Sequence, residues 1–124
     1  MFRSIFTILV LFSFSHSVFS LDDAISQRTY EYLKRVNEAI DEENWERAKK
    51  DLDTFDRYYQ SDQSYERALM QQLYGNFYAI QGKYSEAISK YENALRFKKM
   101  PLITGFQVRK NLAQCYFQTS DYKN

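Results

Sequence analysis

The sequence predicts an all-α protein built from antiparallel helix pairs, and three observations carry that prediction. The stretch 68–95, ALMQQLYGNFYAIQGKYSEAISKYENAL, sets its bulky residues at helical spacing on both sides of a Gln81-Gly82-Lys83 break. A large ring follows each break in the helical pattern, at Trp45, Tyr84 and Tyr122, with spacings of 39 and 38 residues. Gly and Pro number only three and one in 124 residues, too few for the turns of a β protein.

Residues 1–20 read as a secretory signal peptide. Arg3 supplies the positive start, and residues 5–14 form an apolar run too short to cross a membrane. Val18-Phe19-Ser20 offers a cut after Ser20, with an uncleaved N-terminal anchor as the alternative. No Cys follows the apolar run, so no lipoprotein attachment site is expected. Cleavage removes Arg3 and His16, so a chain with 17 basic and 16 acidic residues becomes balanced and loses its one histidine.

Ser26 is placed to cap a helix running to about Ile40, with Tyr30, Leu33, Val36, Ala39 and Ile40 on its apolar side. Residues 41–44 form a polar turn. A second helix follows from Trp45 to about Tyr59, with Ala48, Leu52 and Phe55 also facing inward, and residues 60–64 form a polar linker. In the next pair, small residues (Gly75, Ala79, Ala87, Ala94) alternate with rings (Tyr74, Tyr78, Tyr84, Tyr91), which lets two helices interdigitate. This reading sets Tyr84 and Ala87 near Gly75. Residues 97–103 form the following connection, in which Pro101 stops helical continuation, and a helix over 104–118 carries Leu112, Ala113 and Tyr116. The chain stops at Asn124, one helix short of a third pair, so the reading expects a fragment. Its uncapped C-terminal end would leave Leu112, Tyr116 and Phe117 uncovered, a route to self-association.

The stretch 68–95 resembles one tetratricopeptide repeat. The matching residues are Tyr74, Gly75, Tyr78, Gly82, Tyr84, Ala87, Tyr91, Ala94 and Leu95, with Gln71 where the family has Trp. Aligned on Ala48, residues 29–62 resemble a degenerate first copy, and 106–124 an incomplete third. The resemblance implies a tetratricopeptide-repeat-like solenoid of about two and a half repeats over residues 21–124. The observed spacing exceeds the family's usual ~34 residues. Residues 65–95 and 111–117 are also similar to small repeat proteins that accompany TonB-type energy-transducing systems of bacterial envelopes.

What the resemblance implies is an exported, periplasmic or extracellular adaptor that binds another protein. An envelope assembly scaffold, or the repeat domain of a larger enzyme truncated at Asn124, are the alternatives. In the family, the first helices of successive repeats line a concave groove, and Asn37, Asn76 and Gln114 occupy the equivalent groove position. Amides donate and accept together, which suits a bound peptide backbone. Gln72 and Lys110 join them as expected partner-binding residues, with Tyr30, Leu33, Ile40, Ala79 and Phe117 as neighbours. The residues support no catalytic role. Cys115 reads as a packed thiol, and Asp51, Asp53 and Asp56 as a solvated helix face without the glycine a calcium loop needs. The turn Asp41-Glu42-Glu43 gives no metal site either, and no cofactor is expected. A formal charge of +1 gives no field for nucleic acid.

Overall fold

In a computed structural model, the structure describes residues 25–59, 65–97 and 100–119. The signal peptide, the linker 60–64 and Tyr122 lie outside the described residues. Among these are five α-helices and no strand: α1 (Gln27–Asp41), α2 (Trp45–Tyr58), α3 (Tyr65–Ile80), α4 (Tyr84–Leu95) and α5 (Leu102–Thr119). The most extensive packing joins α3 to α4, then α4 to α5, then α1 to α2. Each helix therefore leans chiefly on its sequence neighbours. The three-residue connections force α1–α2 and α3–α4 to run antiparallel.

The helix ends follow local chemistry. Ser26 caps α1 by accepting from the Thr29 backbone N–H, as the sequence predicts. Asn44 caps α2 in the same way, accepting from Arg47 N–H. Helix α5 starts directly after Pro101, whose fixed φ and missing N–H suit a helix start.

The two short turns share one geometry. At the end of α3, Lys83 N–H bonds to Tyr78 O and Gly82 N–H to Ala79 O, both at 2.9 Å. Gly82 has φ of 81°, the left-handed conformation that closes such a helix end. At the end of α1, Asn44 N–H bonds to Ala39 O and Glu43 N–H to Ile40 O, at 2.8 and 2.9 Å. Glu43 takes Gly82's place with φ of 58°. The positions correspond at the same 39-residue offset as Trp45 and Tyr84, so the two helix pairs repeat in three dimensions.

Inside each pair, equivalent positions carry different volumes. Val36 and Leu52 are buried in the first pair, and at the same offset Gly75 and Tyr91 are apposed in the second. A Cβ on Gly75 would lie 2.6 Å from Tyr91 Cδ1 and 2.8 Å from Cζ, closer than real contacts allow. The ring apposed to Gly75 is Tyr91, and Tyr84 is half-buried on α4.

Between the pairs, Tyr65, Leu69, Leu73 and Phe77 of α3 join Leu52 and Phe55 of α2 in one core. The Tyr74 hydroxyl donates to Asp53 of α2 across that junction. Burial raises the Asp53 carboxyl, but hydrogen bonds from Tyr74 and Lys49 outweigh it and hold the group below the usual aspartate range. The second core runs from Ala79 through Ala87, Tyr91 and Ala94 of α4 to Val108 and Cys115 of α5.

Gly75→Ala and Glu43→Gly should shift thermal stability in opposite directions. Alanine alone favours a helix by about 1 kcal/mol over glycine, but overpacking against Tyr91 costs about 1–3 kcal/mol, so Gly75→Ala should lower the melting temperature. Glu43→Gly relieves a left-handed residue and should stabilise by about 1 kcal/mol. Calorimetric melts of the two variants read both signs.

Candidate protein-binding surface

Helix α3 has neighbours on all sides, because α1–α2 and α4–α5 flank it. Every residue from Ala68 to Phe77 is buried. That enclosure corrects the expected placement of two groove residues. Gln72 and Asn76 are 1% and 2% exposed, inside the protein rather than on an open concave face. Asn37 and Gln114 are half-buried, and Lys110 is exposed. The five therefore do not form one continuous open row. Among their expected neighbours, Leu33, Ile40 and Ala79 are core residues, while Tyr30 and Phe117 are exposed.

Two buried amides, Asn76 and Asn111, serve one hydroxyl. Tyr91 of α4 is fully buried, and its O–H donates to Asn76 Oδ1. Asn111 of α5 hydrogen-bonds the same hydroxyl. Asn111 Oδ1 has no partner, so its amide nitrogen is the donor in that bond. Burial pushes the Tyr91 phenol well above its ordinary value, the Cys115 sulfur beside it adds to the rise, and the Asn111 bond opposes it. Three helices thus meet at one neutral polar group. Beside it, burial pushes the Cys115 thiol up to about 12. Such burial keeps the thiol protonated at neutral pH, as expected of a packed side chain.

Four acidic residues, Glu42, Asp51, Asp53 and Asp56, are in ion pairs. Arg35 lies 3.7 Å from Asp51, Arg47 3.1 Å from Glu42, Lys49 3.1 Å from Asp53 and Arg67 3.7 Å from Asp56. Among the described residues no group of three or more His, Cys, Asp or Glu is placed to hold a metal ion.

The feature with interaction chemistry is the outward face of α5. Its inner face presents Thr104, Val108, Asn111 and Cys115 to α4 and α3, with Thr104 Oγ1 3.1 Å from the Tyr65 hydroxyl. Leu102, Phe106, Ala113 and Phe117 recur on the opposite side at i, i+4, i+11 and i+15. Leu102 is 86% exposed, Phe106 65% and Ile103 57%. Arg109 and Lys110 edge this stripe, and α5 carries no acidic residue. Tyr116 borders it and donates to Glu92 of α4. The sequence reading names Lys110, Ala113, Tyr116 and Phe117 here, but not Leu102, Ile103, Phe106 or Arg109. The signal for the rest was the second apolar periodicity of 102–117, a helix apolar on two faces rather than one.

No family model, no curated protein and no solved structure matches this chain.

Asn76→Ala should destabilise the protein by about 1–2 kcal/mol, because the buried Tyr91 hydroxyl loses its acceptor. Gln114→Ala should stay within about 0.5 kcal/mol. A double-mutant cycle of Asn76→Ala with Tyr91→Phe should give a coupling of about 1 kcal/mol. Additive losses would show that the amide and the hydroxyl act apart.

Proposed function

We propose that this chain is an exported adaptor of the tetratricopeptide type that binds another protein and catalyses no reaction. The observation that carries this reading is the outward face of α5, where Leu102, Ile103 and Phe106 stand in solvent as one patch. Contiguous exposed apolar surface rimmed by polar residues marks an interaction site. The repeat assignment draws support from the matching turns at Glu43 and Gly82 and from the apposition of Gly75 and Tyr91. The non-catalytic reading draws support from Cys115, a buried thiol with a raised pKa. No described helix is long and apolar enough to cross a membrane. Export rests on Arg3, the apolar run and Val18-Phe19-Ser20.

A photoreactive phenylalanine analogue placed at position 106 in cells should yield a discrete crosslinked protein adduct. The same analogue at exposed Arg57 on α2 should not. Absence of an adduct at 106 would remove the basis for the adaptor reading. N-terminal sequencing of the envelope fraction should begin near Leu21, and an intact Met1 on cytoplasmic protein would refute export.

A further inference from the structure

We infer that Met100 is an oxidation site, and that its sulfoxide releases the first turns of α5 from the two cores that the thioether joins. The inference stands apart from the adaptor reading.

Position is the first argument. Met100 lies in the connection between α4 and α5, directly before Pro101, and its backbone N–H reaches Phe97 O at 3.4 Å. Like Tyr78, it packs against both hydrophobic cores. Its sulfur lies over Gly105 of α5, where an added Cβ would stand 3.6 Å from Sδ. Methionine suits such a joint, because an unbranched thioether fills irregular space between surfaces. Leu102 and Ile103 stand in solvent, so Thr104, Gly105 and the Met100 thioether hold down the start of α5.

Selectivity is the second argument. The described residues hold three sulfur atoms, in Met70, Met100 and Cys115. Met70 and Cys115 are fully buried, whereas Met100 is half-buried and open to a small oxidant. Burial also keeps the Cys115 thiol protonated, and the thiolate is the reactive form. A thioether needs no ionisation to react.

Hydrogen peroxide is the oxidant. The Met100 sulfur gives a lone pair to one peroxide oxygen, an S–O bond forms as the O–O bond breaks, and the other oxygen leaves as water. Sulfur loses two electrons and the peroxide gains them. The product is polar where the thioether was apolar. Its oxygen cannot stay against the cores without a partner, since an unpaired buried polar group is costly. Arg109 is exposed, and its Nη1 would stand 3.2 Å from the same added Cβ on Gly105. Its N–H groups draw the new oxygen outward, off both cores.

The test treats the full chain with hydrogen peroxide and maps the oxygen by peptide mass spectrometry. Met100 should gain one oxygen at least about tenfold faster than Met70. The oxidised protein should melt about 5 °C lower, and amides of 102–108 should exchange faster. Methionine sulfoxide reductases specific for the two epimers should together restore both readings. Met100→Leu keeps the apolar contact without the sulfur, so it should melt like the parent and resist peroxide. Met100→Gln puts a polar group at the joint and should melt low without peroxide. Oxidation of Met70 or Cys115 in step with Met100 overturns the inference. So does a Met100 sulfoxide with an unchanged melt and unchanged exchange, since Arg109 would then accommodate the oxygen in place. Loss of stability by peroxide-treated Met100→Leu as large as the parent's would equally overturn it.

Discussion

The Tyr91 ring against the bare Cα of Gly75 fixes the distance between α3 and α4, and most of the structure follows from it. Tyr91 is the largest fully buried side chain among the described residues. Burying such a ring contributes about 1.5–3 kcal/mol, more than the roughly 1 kcal/mol that glycine costs a helix. The contact is therefore worth its conformational penalty. It also carries a hydroxyl into the core, where an unpaired donor would cost about 1–3 kcal/mol. Asn76 accepts that hydrogen from α3, and Asn111 bonds the same oxygen from α5. A single side chain on α4 thus ties down its predecessor and its successor. The first pair reaches the same end without polarity. Val36 and Leu52 divide between them the space that the second pair gives almost wholly to Tyr91.

The helices were legible because their signals are local. Ser26, the Gln81-Gly82-Lys83 break and the apolar periods of 27–58 and 84–95 each act within a turn or two of the chain. Glu43 was not legible as a left-handed residue, because nothing in glutamate favours positive φ. Only its correspondence to Gly82 at the repeat offset points there. The groove residues were misplaced for a different reason. Asn76 and Gln72 are polar at positions where the resemblance sets a solvent face, and polarity alone does not tell a wet amide from a buried one with a partner. The distinguishing signal was the absence of charge. No charged residue occurs between Arg67 and Lys83, whereas α1 and α2 each carry several. A helix polar only through amides and phenols is suited to enclosure on all sides.

That enclosure moves the interaction chemistry from the middle of the array to its edge. The amides of α3 are committed to internal bonds or sealed within the core, so they recognise nothing outside unless the core opens. Helix α5 shares the character of α3 beyond Arg67: no acidic residue, a small residue at mid-length, and rings on more than one side. Its inner face is covered, whereas Leu102, Ile103 and Phe106 are mostly exposed. Thr104, Val108, Asn111 and Cys115 are enough to hold that face against α3 and α4, since they reach both Tyr65 and Tyr91. Leu102 and Phe106 contribute little to that packing, being mostly in solvent. Their exposure disfavours the isolated chain, and covering them with another helix reverses the sign. The inner face of α5 thus secures the fold, while Leu102, Ile103 and Phe106 stand largely in solvent.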